Sequence, residues 1–326
     1  MACFRYVPDF IIKRSVGPET YFDFDLSLNG YFSLGNKENG DNADIDLYRM
    51  ILRFATPKTE TRIGLQKISF GPAFLLRPLQ WFDAVDPRDP QHFTEGVYGL
   101  LFKYNALNNA GFWTWLLTGN DDPKGFETFP TDSSAPEFGG RIQHPIPYGE
   151  IGAAYNFRKV DYSSLGLCDD NEQRFGFDGR WDIGAGLWFE AVAQRQASPF
   201  LPYKWTKLTT LGMDYTFGLG NGLHILGEYL LISMSEDLPR FKEKYNFSAF
   251  LIGYPVNFFD SLYLIGYYAW DSNDYAQYAS WERTYDKLIV SISLFHYPAM
   301  DGGALVYQHN AAVSGSGGRL MVIFNH

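Results

Sequence analysis

Cationic side chains recur on one side of successive alternating segments, and these are the residues best placed to do chemistry. In "DLYRMILRF" Arg49 and Arg53 lie four apart, which on an extended chain puts them on one face about 13 Å from each other. If the "PKTE" turn closes symmetrically, Arg62 comes beside Arg53, and the same symmetry in the first hairpin brings Asp25 near Arg53. Two guanidinium groups that close call for a carboxylate or a bound anion. Lys103, Arg141, Arg158, Arg174 and Arg180 continue the series on later segments. Two readings stay open: a ladder of Arg–Asp pairs bracing a wall, or a stripe that attracts anions. Asp178, Asp182, Glu190, Asp214 and Glu228 share the same face, so the sign of any charge selectivity is undecided.

No catalytic signature accompanies these charges. HExxH, CxxC, P-loop and GxSxG patterns are all absent, and the six histidines lack metal-ligand spacing. The cluster "SGSGG" at Ser314 to Gly318 reads as a flexible loop tip. No catalytic residue, metal site or cofactor is predicted. The connections are acidic at Asp41, Asp44, Asp121, Asp122, Asp169, Asp170, Glu172, Asp271 and Asp274. Solvated loop tips or cation-bridged surface carboxylates both account for them.

The elements that position the charges alternate with period two. "YFDFDLSLNGYFS" sets Phe22, Phe24, Leu26, Leu28 and Phe32 against Asp23, Asp25, Ser27 and Asn29, and "RFGFDGRWD", "LTTLGMDYTF" and "KLIVSISLF" repeat the pattern. Short connections such as "PKTE", "LNN", "PIPYG", "GLGNG" and "NFFD" take turns with long polar ones. From Thr20 the pattern gives about 16 strands, or about 20 residues per strand with its connector. A soluble β-sandwich also alternates. Here the strands are long, the connections are sorted by length, and charges stand in mid-strand on strand after strand. That combination predicts an all-β, antiparallel, up-and-down transmembrane barrel, apolar outside and polar inside, with no backbone group left unpaired. Tyr98, Tyr104, Trp113, Trp115, Tyr155, Phe157, Trp181 and Tyr215 fall on or near the apolar face, as membrane-interface girdles require.

One stretch breaks the rhythm. "FLLRPLQWFDAVDPRDP", Phe74 to Pro90, is too long for a hairpin turn, too apolar for a solvated loop and too rich in proline for a helix. Leu75, Leu76, Leu79, Trp81 and Phe82 need burial, while Arg77, Asp83, Asp86, Arg88 and Asp89 supply polar groups. The expectation is that the connection over 71–95 folds into the lumen, or caps it, as long ordered loops in compact proteins usually serve a function.

The bulk numbers agree with a membrane barrel. The 326 residues carry a net charge of −10, with a pI near 5.1 and mean hydropathy of −0.21, which argues against nucleic acid as a partner. Cys3 and Cys168 give no disulfide framework. No apolar run reaches the length of a transmembrane helix.

The segment "RIGLQKISFGPAFLLRPLQWFDAVDPRDPQHFTEGVYGLLFKY" resembles one found in Gram-negative outer-membrane barrels of the porin and alginate-export type. The matching residues are Gly64, Leu65, Gln66, Asp83, Asp86, Pro87, Asp89, Pro90, Gly96 and Val97. Over most of its length the chain is similar to outer-membrane proteins of Bacteroidota, through "YGLLFKYNALNNAGFWTW", "DYTFGLGNG" and "RLMVIFNH". The resemblance implies an outer-membrane location, a cleaved leader, contact with lipid and lipopolysaccharide, and porin-type trimers. It departs at the end, where Phe324 is followed by Asn325 and His326 instead of closing on the aromatic.

The expected protein is thus a single barrel domain over 1–326, with 1–19 as a periplasmic lead-in. Its expected function is passive diffusion of small polar or charged solutes. The constriction would be lined by Arg49, Arg53, Arg62, Arg77, Asp83, Asp86, Arg88, Asp89, Lys103, Arg141, Arg158, Arg174 and Arg180. The alternatives are a non-conducting barrel that anchors a surface or transport complex, and an outer-membrane hydrolase.

Overall fold

The computed structural model describes residues 2–34, 42–83, 85–89, 93–196, 202–297 and 315–324. Asp41, Pro90, Ser314, Asn325 and His326, singled out in the sequence, lie outside the described residues. The described chain is one antiparallel sheet of 18 strands in chain order. They are β1 (Ala2–Tyr6), β2 (Asp9–Gly17), β3 (Thr20–Leu34), β4 (Asn42–Ala55), β5 (Thr59–Gln66), β6 (Val97–Asn105), β7 (Gly111–Leu117), β8 (Glu137–Ile146) and β9 (Gly149–Val160). There follow β10 (Asp170–Asp182), β11 (Gly186–Gln196), β12 (Trp205–Phe217), β13 (Leu223–Ser235), β14 (Glu243–Pro255), β15 (Asp260–Ala269), β16 (Asp274–Thr284), β17 (Leu288–Tyr297) and β18 (Gly315–Phe324). No helix among the described residues is long and apolar enough to cross a membrane.

From Thr20 onward there are sixteen strands, β3 to β18. The residues before them differ from expectation. The stretch read as a lead-in, 1–19, contains β1 and β2, which pair end to end with the two halves of β3: Tyr6 opposite Gly30, then Asp9 opposite Ser27. Pro8 sits between them, where a residue without an N–H interrupts the ladder. Together they make one interrupted strand, so the chain traverses the sheet seventeen times. "SGSGG" also departs from expectation, since Gly315 to Gly318 open β18 and pair with Tyr297 to Leu294.

Alternation assigns the faces. On β10, Phe175 and Phe177 are exposed, while Arg174 and Asp178 are buried. On β12 and β13, Leu211, Met213, Tyr215 and Tyr229 are exposed, while Thr210 and Glu228 are buried. The apolar side is therefore the outside and the polar side the inside, the reverse of a soluble sandwich. Trp113 and Trp115 correct the girdle assignment. Trp115 is 2% exposed and donates its indole N–H to Asn156 Oδ1 at 2.8 Å, on the inner face.

Gly64 shows how tightly the wall is drawn near its inserted segment. Its φ is +119°, and a β-carbon there would lie 1.9 Å from the Met50 carbonyl oxygen. Gly64→Ala is expected to lower stability by about 1–3 kcal/mol, measured as the urea midpoint of the detergent-folded protein.

Candidate functional site

The inner wall is laid out by register. Arg53 stands directly opposite Arg62, as the symmetric turn required. Its carboxylate partner is Asp23, not Asp25: Asp23 is opposite Arg53 while Asp25 is opposite Ile51, and Arg53 Nε donates to Asp23 Oδ2 at 2.8 Å. A bulge at Ser27 and Leu28 moves the upper half of that hairpin by one residue. Arg62 Nε donates to Glu60, which lies opposite Lys103. The Lys103 ammonium sits 3.6 Å from the centroid of the Trp113 ring. Like charges directly opposite each other are destabilising, so Asp23 and Glu60 are what allow Arg53 and Arg62 to share the wall.

Farther round, Arg141 holds Asp178 with two hydrogen bonds, 2.5 and 2.9 Å. Arg180 approaches Asp182 at 3.5 Å with both side chains substantially exposed. The cations named from the sequence do not form one stripe. They fall into separate pairs and clusters along the wall.

The irregular segment between β5 and β6 lies against this inner face. Its backbone is held by two carboxylates from the wall. Glu228 on β13 accepts N–H groups from Phe74, Leu75 and Leu76 at 2.7, 2.9 and 2.5 Å, and the Trp188 indole N–H at 3.0 Å. Glu190 on β11 accepts from Ala73 at 2.8 Å and from Leu79 at 2.9 Å. Between them, Thr210 on β12 donates to the Leu76 carbonyl at 2.8 Å. Bonds from N–H groups to these carboxyl oxygens replace the water that an inserted backbone loses.

The apolar residues of the segment complete a core inside the sheet. Phe70, Trp81, Phe82 and Trp115 contact one another edge-on or stacked, with centroids 5.2–6.3 Å apart. Leu76 and Leu79 join the same cluster as Leu226, Leu230 and Ile265 of the wall. Gly176 leaves the necessary room, since a β-carbon there would come within 2.5 Å of Leu79. The polar residues of the segment pair mostly among themselves. Arg77 reaches Asp83 at 3.2 Å and Ser69 at 2.9 Å, and Arg88 holds Asp86 at 2.7 and 2.9 Å. Asp89 accepts the Phe93 N–H at 3.3 Å, and Arg49 of the wall donates to the Thr94 carbonyl at 2.6 Å.

A second segment, 118–136, also turns inward, and sequence reasoning missed it because it is polar. Its Glu127 pairs with Arg158 at 3.0 Å and Arg174 at 2.8 Å, while Glu172 binds the same two arginines at 2.6 and 2.7 Å. Glu172, assigned from sequence to an acidic outer loop, lies on β10 and is fully buried. A buried quartet of this kind persists only when its lone pairs and protons are met. Gln194 and Gln196 supply further donors to Glu172, at 2.5 and 2.9 Å. Gly125 packs so close to the first segment that a β-carbon would overlap the Gln80 carbonyl. At the surface, Asp132 is held down at about 2 by hydrogen bonds from Lys159 and Ser134. That tie is present above the ordinary carboxylate range and is lost as pH falls through about 2.

No family model matches the chain, and no curated protein matches it. Its fold is similar to solved structures. Acinetobacter baumannii OccAB1 matches over 98% of this chain and 94% of its own, with TM-score 0.57 and 9% identity. Salmonella typhi OmpF, solved with daunomycin, matches over 98% and 89%, with TM-score 0.54 and 10% identity. Wzi of Escherichia coli, described as a carbohydrate-binding β-barrel involved in group 1 capsule assembly, matches over 90% and 79%, with TM-score 0.55 and 12% identity. The chain has the fold of outer-membrane β-barrels.

Glu228→Gln keeps the size of the anchor but offers one acceptor oxygen where two are used. The expected cost is about 0.5–1.5 kcal/mol for each bond lost. Hydrogen exchange at Phe74, Leu75 and Leu76 should accelerate, while Glu236→Gln on the exposed rim leaves it unchanged.

Proposed function

We propose that the protein is an outer-membrane channel of porin type, passing small polar or charged solutes by diffusion. The supporting observation is the contrast between the two faces of one wall. Outward stand Phe175, Phe177, Leu211, Met213 and Tyr215, suited to lipid, while ionised side chains on the inside keep partial access to water. Arg53 is 35% exposed, and Arg62 and Glu60 are 26% and 22% exposed, near the short-turn end of the interior. The path narrows toward the long-loop end, where the segment between β5 and β6 and the 118–136 segment occupy the lumen. There Arg49, Arg77, Asp83, Arg141, Arg158 and Arg174 are buried and brace the inserted segments, while Asp86, Arg88 and Asp89 keep partial exposure and would line the remaining path. Passage is by size and by local ion pairs more than by net charge. Lipopolysaccharide contacts the outer band, and self-association into trimers fits the porin likeness.

A second reading rests on a specific observation. The segment between β5 and β6 is bonded to the wall and buried in an apolar cluster, and 118–136 is tied in beside it by a buried ion quartet, as in a sealed barrel that anchors a surface complex. The likeness to Wzi, described as acting in capsule assembly, favours the same reading.

Planar-bilayer recording separates the two. Ohmic steps from the folded protein support the channel, and the reversal potential in a salt gradient gives its selectivity. Replacing 74–89 by a short glycine–serine linker is expected to raise conductance severalfold. A silent parent and a conducting variant would assign the sealed barrel. The lipid-facing assignment has its own check: Phe177→Arg should cost about 2–4 kcal/mol if this position lies near the bilayer midplane, read by unfolding in lipid vesicles.

A further inference from the structure

The outward faces of β12 and β14 differ at their two ends. Near the long loops the outward residues are polar, Lys207 and Thr209 on β12 and Lys244, Asn246 and Ser248 on β14. Toward the short turns they are apolar without a break, and the alternation in sequence runs on into the turn. On β12 the row is Leu211, Met213, Tyr215, Phe217 and then Leu219. On β14 it is Phe250, Ile252, Tyr254, Val256 and then Phe258. Hydrogen bonds mark the border on the long-loop side, from the Tyr229 hydroxyl to Asn246 at 2.6 Å and from the Trp270 indole to Ser248 at 2.9 Å. Tyrosine and tryptophan with a polar tip engaged are suited to such a border.

Leu219 and Phe258 are not isolated. Each short turn from β6 to β17 carries a large apolar residue, Leu107, Tyr148, Ile183, Leu219, Phe258 or Tyr285, between 47% and 103% exposed. The two earlier short turns, with Pro18 and Glu19 and with Pro57 and Lys58, carry none. The six turns follow one another round most of the rim, so whatever covers them has to surround the barrel. A protein bound at one side reaches only some of them. Lipid surrounds a transmembrane barrel, and it already meets the outward rows that lead into Leu219 and Phe258.

Depth gives the same answer. The apolar band of an outer-membrane barrel is about 25 Å tall, and its strands tilt by roughly 40°. At about 3.3 Å per residue, Leu211 to Phe217 covers about 15 Å of depth and Phe250 to Tyr254 about 10 Å. Carried on to Leu219 and Phe258, both rows reach about 20 Å, close to the full band. The polar residues at the other end leave no room to make up the difference there. We infer that the short turns from β6 to β17 form a lipid-binding surface, their tips immersed in the leaflet on that side. The hydrocarbon boundary runs at the turns themselves, while Lys244 and Asn246 stand at headgroup level in the opposite leaflet.

The inference rests on the transmembrane reading, and the test keeps the two apart. Full-length protein with Cys3 and Cys168 replaced by serine is folded into phosphatidylcholine vesicles, with folding checked by circular dichroism. The single variants Leu107→Cys, Leu219→Cys and Phe258→Cys each carry a nitroxide label. Met213→Cys, in the middle of an outward row, is the lipid reference, and Lys244→Cys is the water-side reference. Collisions of the label with oxygen, which concentrates in lipid, are compared with collisions with a water-soluble nickel chelate. A preference for oxygen at all three tips is expected, as at Met213 and severalfold above that at Lys244. A preference for the chelate at Leu219 or Phe258, with oxygen still preferred at Met213, overturns the inference and leaves a protein partner to cover the tips. A preference for the chelate at Met213 as well defeats the transmembrane reading itself.

Discussion

An irregular backbone enters the inside of a β-wall only if its N–H groups find acceptors there. The wall cannot offer its own carbonyls, which are committed to the ladders between strands. Side chains have to do it, and in this protein they are the carboxylates of Glu190 and Glu228. Between them they take up five N–H groups of residues 73–79. Their place on β11 and β13, either side of Thr210, makes three successive strands into a cradle. The aromatic cluster of Phe70, Trp81, Phe82 and Trp115, the closeness to Gly176 and the reach of Arg88 toward β18 all follow from where that cradle holds the chain.

The interior is consequently divided. Toward the short turns, the ion pairs of Asp23, Arg53, Glu60 and Arg62 retain partial access to water. Toward the long loops, Glu127, Glu172, Arg158 and Arg174 are almost wholly withdrawn from it. Charges that are paired and desolvated shape a lumen and hold its walls; they contribute little net field along it. The number of arginines on the inner face is for that reason a poor guide to which ion the interior prefers.

Much of this was legible in the sequence because a strand writes its two faces in alternate letters. Phe175 and Phe177 against Arg174 and Asp178 could be sorted without a structure, and the short turn after β4 fixed Arg53 opposite Arg62. Legibility failed where the signal depends on something other than alternation. Symmetric closure of the first hairpin points to Asp25, where the structure has Asp23, because an asymmetric loop and a bulge are silent in the pattern. Trp113 and Trp115 stand among apolar residues on both sides, so nothing marked their face as the inner one. In β2, inward Ile11 interrupts the row of Phe10, Ile12 and Val16, and the strand passed for a lead-in. The 118–136 segment looked like a solvated loop, since the partners that neutralise Glu127 lie on β9 and β10. Glu190 and Glu228 were placed on the correct face, but their role is to bind main chain that no local pattern connects to them.

The cradle also orders events in time. Glu190 lies 117 residues after Ala73, and Glu228 lies 154 residues after Phe74. As the chain is made from its amino end, the greasy segment is complete long before either carboxylate exists. Contacts so distant along the chain form late, after the entropy of closing a long loop has been spent. The nascent polypeptide therefore carries an unburied stretch of leucines and aromatics until β13 is in register, and its maturation calls for something that shields that stretch during the interval.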